Sequence, residues 1–145
     1  MSVLLRDANN YIEIEAVNRE PEESPIAGDT EFSVEVCSSG FRGQTFAWIE
    51  AKCLQDFLTE LTELENRRQG SATLRGYGPP PREFVLQVWS VDRWGHMAIG
   101  GRLTKLIYRG EKGPYDHAVE FAFEFDPTLL PKLLAEFRTI ADGHE

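Results

Sequence analysis

In the stretch Tyr11-Ile12-Glu13-Ile14-Glu15-Ala16-Val17, apolar and polar side chains alternate near the start of the chain. Successive side chains of a β-strand point to opposite faces of its sheet, so this alternation predicts a strand that is buried on one face only. Its buried face would consist of Ile12, Ile14 and Ala16. Its outer face would consist of Tyr11, Glu13 and Glu15.

The same alternation returns after an exposed loop. Residues 19–30 contain two prolines, one glycine and four acidic residues, a composition that favours a loop over a buried element. Residues 31–36 again alternate between polar and apolar side chains, which predicts a second strand. Ser38-Ser39-Gly40 predicts a turn into a third strand at residues 45–49. The first part of the chain is therefore expected to be an antiparallel meander.

After Lys52 the spacing of apolar residues changes to three and four, which is typical of an amphipathic helix. Its buried stripe would consist of Leu54, Phe57, Leu58, Leu61 and Leu64. Gly70 is expected to end this helix in a left-handed conformation. A second helix is predicted with Thr128 as its N-cap and Pro131 at its third position, where no amide donor is needed. Its buried stripe would consist of Leu130, Leu133, Leu134, Phe137 and Ile140.

Four further strands are expected between the helices, at residues 71–77, 84–91, 97–106 and 118–125. The pair Gly100-Gly101 predicts a bulge or bend in the third of them. Each helix has one apolar stripe that needs a sheet to cover it. The sequence thus predicts a single α+β domain over residues 1–145, with an antiparallel β-sheet of six to eight strands and two amphipathic helices packed on the sheet.

Length and composition limit the classes of protein to which the chain can belong. A chain of 145 residues can bury about 70% of its extended surface, enough for one core. Its two cysteines, Cys37 and Cys53, are too few for a disulfide framework and are expected to be reduced thiols. The first ten residues lack the apolar run of a signal peptide, and no stretch is apolar enough to cross a membrane. We therefore expect a cytoplasmic protein with no membrane partner.

The formal net charge of −9 favours one kind of partner over another. Nucleic-acid binding needs a basic face that releases counterions, so no nucleic-acid partner is expected. The acidic residues are concentrated at the two ends of the chain. Residues 1–36 carry nine acidic and two basic side chains, residues 37–109 seven and ten, and residues 110–145 eight and three. This distribution favours a basic protein as partner.

Motifs for metal binding, nucleophilic catalysis and phosphate binding are absent from the sequence. There is no CxxC or HxxxH pair, no GxSxG turn and no GxxxxGK[ST] loop. His96, His117 and His144 are isolated from one another, and nothing near Cys37 would lower the pKa of its thiol. We therefore expect no cofactor, no metal ion and no enzymatic activity. The alternative is an enzyme whose active site is assembled from residues far apart in sequence.

Six carboxylates are predicted on outward faces of strands: Glu13, Glu15, Glu31, Glu35, Glu120 and Glu124. They either form an ordinary solvated surface or, if their strands are neighbours, one acidic block that attracts a basic protein. Aromatic residues leave a similar choice. Trp48 and Trp89 are expected in the core, whereas Tyr77, Trp94 and Tyr115 fall at turns or strand ends. Trp94 and Tyr115 would serve as interface anchors, or as the rim of a small-ligand or adaptor site on a curved sheet.

The order of these segments resembles the WapI-like immunity protein family of bacteria over nearly the whole chain. The resemblance rests on the opening strand at residues 11–15, the turn Gly40-Phe41-Arg42-Gly43, the helix at 54–61, Gly70-Ser71-Ala72, the run at 95–103 and the closing segment at 121–130. It implies a protein that neutralises the toxic C-terminal domain of a secreted or contact-dependent toxin, often a nuclease. The connector Gly78-Pro79-Pro80-Pro81-Arg82 and the insertion at residues 109–115 depart from the family pattern. The resemblance supplies no binding residues.

Overall fold

The computed structural model describes residues 1–78, 81, 83–107 and 115–143, and it confirms the α+β fold class. The eight strands fall within the predicted number. The strands are β1 (Ser2–Asp7), β2 (Asn10–Arg19), β3 (Thr30–Ser38), β4 (Phe41–Ile49), β5 (Ser71–Arg75), β6 (Phe84–Ser90), β7 (Met97–Ile107) and β8 (Tyr115–Phe125), and the helices are α1 (Ala51–Arg67) and α2 (Leu130–Asp142). The predicted proline connector and the insertion at 109–115 lie largely outside the described residues.

The strands divide into two antiparallel sheets of four, where the sequence had predicted one sheet. Sheet A has the order β1-β2-β3-β4 and sheet B the order β5-β6-β7-β8. The division falls at α1, which follows β4 and leads into β5. Strand β1 was not predicted, because Val3, Leu4 and Leu5 are all apolar and show no alternation. Its pairing with β2 completes sheet A.

Both sheets and both helices share one hydrophobic core. Each predicted helical stripe is buried in full. The two helices meet where the ring of Phe57 packs edge-to-face against Phe137, with ring centroids 5.0 Å apart. Since the inner faces of both sheets supply the rest of the core, their outer faces are left toward solvent.

The helix ends differ from the predicted ones. Arg68, with a φ of 58°, takes the left-handed position expected of Gly70. The N-cap of α2 is Leu129 and not Thr128, while Asp126 caps the 3-10 turn before the helix, where its carboxylate accepts a 3.0 Å bond from the Thr128 amide. Thr128 itself lies within a 3-10 turn, Pro127–Leu129, that precedes α2. Pro131 is the second residue of α2, because the turn delays the start of the α-helix.

The pair Gly100-Gly101 does not form a bulge, since the register of β7 with both neighbours is continuous. Glycine is required here by close packing instead. A Cβ at Gly101 would lie 2.0 Å from the carbonyl oxygen of Val85, and one at Gly100 would lie 2.6 Å from that of Phe121. The irregularity in register falls at Val17, between Ala16 and Asn18 of β2.

The outermost strand at each edge of the two sheets makes a hydrogen bond to a group outside its own sheet. At β1, Lys132 donates to the Leu4 carbonyl at 3.0 Å and Glu136 accepts from the Leu4 amide at 3.4 Å. At β5, Glu60 accepts from the Thr73 amide at 3.0 Å. The carbonyls of Trp48 in β4 and Ala122 in β8 accept from the Tyr77 amide and the Ser38 hydroxyl. These bonds engage backbone groups that an edge would otherwise offer to another chain.

Candidate functional site

Four of the six predicted carboxylates lie together on the outer face of sheet A. Glu13 and Glu15 project from β2, and Glu31 and Glu35 project from the neighbouring β3. Glu13 is directly opposite Glu35 in the register, and Glu15 is opposite Ser33. Three of the four are exposed and Glu31 is half-buried. The alternation that buries Ile12, Ile14, Val34 and Val36 is what places these carboxylates on the solvent side.

The four carboxylates have no ion-pair partner in the described part of the chain. Neutral donors hold two of them, since the Tyr11 hydroxyl donates to Glu35 at 2.6 Å and the Asn18 amide donates to Glu31 at 2.7 Å. The bond to Glu35 raises the pKa of the Tyr11 phenol. Like charges placed directly opposite on adjacent strands destabilise a sheet, so the arrangement has an energetic cost.

Exposed apolar side chains lie on the same outer face. Phe46 of β4 is 51% exposed and Leu4 of β1 is 37% exposed. Trp48 is half-buried on this face, so its predicted place in the core was wrong. The sequence pattern itself indicates that Phe46 and Trp48 point outward. They alternate with Thr45, Ala47 and Ile49, which are buried. Aromatic side chains that remain exposed beside charged ones are typical of protein interfaces.

The end of this face near the two hairpin turns is basic. Arg6 and Arg42 lie in one register row with Tyr11 and Cys37. The guanidinium of Arg6 lies 4.8 Å from the centroid of the Tyr11 ring. Cys37 is only 8% exposed although it belongs to the outward row. The face therefore has an acidic centre and a basic end.

Glu120 and Glu124 lie on the outer face of sheet B, so the six carboxylates do not form one block. Strand β8 belongs to sheet B and does not pair with β2 or β3. Glu120 is paired in the register with Arg102, whose guanidinium lies 2.9 Å from its carboxylate. Sheet B thus pairs one of its carboxylates with a cation from the same sheet. None of the four carboxylates on sheet A has such a partner among the described residues.

The two predicted anchors lie far apart. Trp94 is 72% exposed in the connection between β6 and β7, next to Met97, and the Arg93 guanidinium lies 4.6 Å from its ring. Tyr115 begins β8, opposite Ile107. Ten residues separate Met97 from Ile107, about 33 Å along a strand. An open depression of about 350 Å³ on the outer face of sheet B includes neither of them, and it is lined in part by Trp89, which is half-buried and not in the core.

Asp92 and His96 contact each other in the connection between β6 and β7, whereas the predicted candidate His144 lies outside the described residues. The Asp92 carboxylate accepts from the Trp94 amide at 2.8 Å and lies 2.5 Å from Nδ1 of His96. This contact raises the pKa of His96 and lowers the pKa of Asp92. Burial raises the pKa of the Cys53 thiol, which is the opposite of what an activated nucleophile needs. In the described part of the chain, no group of three or more His, Cys, Asp or Glu side chains could hold a metal ion.

The length and polarity of the two helices decide whether either could cross a membrane. Neither α1 nor α2 combines the length and the apolar character that a helix needs to cross a membrane. The outer face of sheet A combines unpaired carboxylates with the exposed apolar side chains of Phe46 and Leu4.

A comparison with protein families matches the model of the immunity protein WapI-like family over residues 3–143. This match confirms the resemblance noted from the sequence segments. Comparisons with curated proteins and with solved structures give no significant match. Because the family model covers nearly the whole chain, the protein belongs to the immunity protein WapI-like family.

Proposed function

We propose that this protein is a non-catalytic immunity protein of the cytoplasm, which binds a basic bacterial toxin domain and masks it with the outer face of sheet A. Family membership supports a role in toxin inhibition. The observation that carries the choice of surface is the group of carboxylates Glu13, Glu15, Glu31 and Glu35, none of which forms an ion pair with a described residue. A basic partner would supply the missing cations.

The cost of placing Glu13 opposite Glu35 favours a binding role for these residues. Repulsion between them lowers the stability of the free protein, and it would be relieved when a cationic surface docks. If the Glu13–Glu35 pair had no function, a neutral residue at either position would remove the repulsion. The neighbouring Phe46 and Leu4 supply the apolar contact area that an interface also needs.

The dimensions of the face suit a specific complex. Four strands at a spacing of about 4.8 Å give a width of about 19 Å, and a nine-residue strand is about 30 Å long. The resulting area, on the order of 600 Å², approaches the 800 Å² or so that each partner buries in a standard interface. Inhibition would be stoichiometric, because an occupied face excludes the substrate of the toxin domain by covering it.

The first test is to purify the tagged protein from its own host at moderate salt and to identify co-purifying proteins by mass spectrometry. We expect one basic partner in stoichiometric amount, whose toxicity in a growth assay is suppressed by co-expression of this protein. Recovery of chaperones alone, or a partner whose toxicity is unaffected, would contradict the proposal.

The second test compares two double variants that change the net charge equally. Glu13→Lys/Glu15→Lys alters the outer face of sheet A, and Glu22→Lys/Glu23→Lys alters the exposed loop before β3. We expect the first pair to slow association with the partner by about tenfold or more at low salt, and the second pair to have a much smaller effect, since local complementarity steers encounter. Equal association rates for the two variants would remove sheet A from the proposal.

A further inference from the structure

We propose that a second copy of this chain docks on the outer face of sheet B, in a symmetric dimer in which Trp94 of each copy enters a depression on the other. This sheet B depression has a volume of about 350 Å³ and is lined in part by Trp89, Val91 and Ala122. The inference does not rest on the proposed function, because it uses sheet B and leaves the outer face of sheet A free.

The sheet B depression exists because small residues occupy the middle of the face. Gly100 of β7 is opposite Ala122 of β8, and Ala98 lies two residues before Gly100 on the same face. Trp89 of β6 is opposite Ala98, and a Cβ added at Gly100 would lie 3.0 Å from the Trp89 ring. Val91, which lies two residues after Trp89, is 48% exposed. The face therefore has an apolar hollow with an aromatic wall.

Trp94 is a preorganised anchor at the same end of sheet B. The Val91 amide donates to the His96 carbonyl at 2.8 Å and closes the β6–β7 turn, residues 92–95. The Asp92 carboxylate accepts bonds from the amides of Trp94 at 2.8 Å and His96 at 3.3 Å. The ring of Trp94 is nevertheless 72% exposed. Tryptophan is enriched at interface hot spots, and a side chain on a backbone that is already fixed loses less entropy on binding.

The positions of the anchor and the depression suit a twofold axis. Val91 lines the depression and directly precedes the turn that contains Trp94, so the two features are neighbours on one copy. A twofold interface is isologous, so the contact of one anchor with one depression is accompanied by the reverse contact. An axis that lies along the face, across the strands and between Trp94 and the depression, brings both contacts together.

Charge complementarity favours a second copy as the occupant. The Arg93 guanidinium lies 4.6 Å from the centroid of the Trp94 ring, so it accompanies the anchor. Glu124 lines the depression, and it forms no ion pair with a described residue. When Trp94 enters the depression of the other copy, its neighbour Arg93 approaches the Glu124 carboxylate there. Two such pairs form, one for each contact.

The outer face of sheet B is also neutral on a molecule that is acidic. Three register rows cross all four strands on this face, and their charged members are Arg75, Arg102, Glu120 and Glu124. These charges cancel, whereas the whole chain has a formal net charge of −9. A high net charge keeps copies of a protein apart by repulsion. Self-association is therefore opposed less at this face than at an acidic one.

The area of the contact indicates a weak and reversible dimer. Burial of a tryptophan removes about 200 Å² of surface from water. Since the depression that receives it loses a similar area, each copy buries on the order of 400 Å², about half of what each partner buries in a standard interface. We expect a dissociation constant on the order of 100 μM.

Sedimentation velocity of the full chain measures the dimer, over about 10 μM to about 1 mM protein at about 0.15 M salt, where repulsion between distant charges is screened. We expect a reversible increase toward the mass of a dimer. Trp94→Ala should raise the dissociation constant at least about tenfold. The matched control Phe41→Ala removes a ring that is also 72% exposed, at the start of β4, and should leave the constant nearly unchanged. A wild type that is monomeric at about 1 mM, or equal dimerisation of Trp94→Ala and wild type, would overturn the dimer.

Exchanging the two charges tests the pairing directly. In Arg93→Glu both contacts bring two carboxylates together, and in Glu124→Arg both bring two guanidinium groups together. Each variant alone should therefore dimerise at least about tenfold more weakly than the wild type. An equimolar mixture of the two restores opposite charges at both contacts, so it should form a heterodimer with nearly the affinity of the wild type.

The control mixture combines Arg93→Glu with Glu22→Arg, which changes the net charge as Glu124→Arg does but in the exposed loop before β3. We expect no heterodimer there. Circular dichroism establishes that each variant is folded. Equal recovery in both mixtures, or recovery in neither, would overturn the pairing of Arg93 with Glu124 and the dimer built on it.

The two proposals fail separately, because they use different sheets. A monomer that still masks a toxin domain would overturn the dimer and leave the proposed function standing. A dimer for which no toxin partner exists would support the contact through Trp94 and overturn the toxin-masking function.

Discussion

Asp29 shows how one side chain can join segments that are distant in sequence. Its carboxylate accepts a 2.9 Å bond from the Ala51 amide at the start of α1 and a bond from the Tyr77 hydroxyl. Glu50, which occupies the N-cap position of α1, makes no capping bond with its side chain. The helix is therefore capped from a loop more than twenty residues away.

Removing this remote cap should destabilise the protein, whereas removing the side chain at the local cap position should not. We expect Asp29→Ala to lower the free energy of unfolding by about 1–2 kcal/mol or more, since the Asp29 side chain is buried and has two partners. Glu50→Ala is the matched control and should change it by less than about 0.5 kcal/mol. Urea denaturation measures both. Equal effects would show that the bond from Ala51 does not cap α1.

The Tyr77 hydroxyl predicts a specific loss of stability at high pH. Its bond to Asp29 raises the pKa of Tyr77 from 10.0 to about 12. Below pH 10 the phenol is protonated in both the folded and the unfolded chain, so its contribution is complete. As the pH rises toward 12 the unfolded chain loses the proton first, and the contribution disappears. The stability difference between wild type and Tyr77→Phe should thus shrink between pH 10 and 12 in urea denaturation, with Tyr115→Phe as control. A constant difference would contradict the bond.

Sequence reasoning at this scale found the acidic residues of the candidate site and missed its aromatic one. Glu13, Glu15, Glu31 and Glu35 follow from alternation alone, because each lies next to at least one buried apolar residue. Phe46 follows from the same rule, but the prediction that Trp48 lies in the core obscured the outward row. The role of Asp29 depends on a contact between distant segments, for which no local pattern exists.

At the scale of elements, helix α2 protects the edge of sheet A. Lys132 and Glu136 are one turn apart, are bonded to each other at 2.9 Å, and engage the carbonyl and amide of Leu4. Unpaired groups of an edge strand can recruit strands from other molecules. This pair therefore holds β1 to the helix and closes part of an edge.

Loss of the pair should loosen β1 without unfolding the protein. In Lys132→Ala/Glu136→Ala we expect the Leu4 amide to exchange with solvent at least about tenfold faster, because its acceptor is gone. The matched control is Lys52→Ala/Asp56→Ala, which removes an exposed ion pair of the same spacing on α1. Hydrogen exchange followed by NMR measures both. Unchanged exchange at Leu4 would mean that the pair does not protect the edge.

Helices and half-buried strands were predicted well because their periodicities are local. The stripe of α1 at Leu54, Phe57, Leu58, Leu61 and Leu64 matches the buried residues of the structure. Strand β1 could not be found in this way, since its apolar run has no period. Of the two alternatives predicted at Gly100-Gly101, a bulge or a bend, the bulge was wrong because glycine also marks close backbone approach, and only the positions of β6 and β8 reveal this.

At the scale of the whole molecule, the division into two sheets was not accessible from sequence. Every strand pair joins neighbours in the chain, so nothing in the order of elements states where one sheet ends. Only the position of α1 between β4 and β5 separates them. Both sheets nevertheless contribute to one core, and this has a measurable consequence.

The two sheets should unfold together. Trp48 reports on sheet A and Trp89 on sheet B, and both are half-buried. In a Trp94→Phe background, one variant retains only Trp48 and the other retains only Trp89. For each variant, the urea midpoint measured by fluorescence should equal the midpoint measured by circular dichroism, because the shared core makes unfolding cooperative. Trp48→Phe and Trp89→Phe themselves shift stability, so each probe is compared with circular dichroism of its own variant. A fluorescence midpoint that differs from the circular dichroism midpoint of the same variant would indicate that the two sheets unfold independently.

The strict alternation along β2 and β3 also bears on how such a protein changes over generations. Inward residues such as Ile14 and Val34 hold the fold together, while their neighbours Glu15 and Ser33 lie on the outer face of sheet A. Substitution at an outward position costs little stability. If the proposed function holds, the outer face can therefore diverge while the scaffold stays constant, and binding to an altered partner can be restored by changing outward residues one at a time.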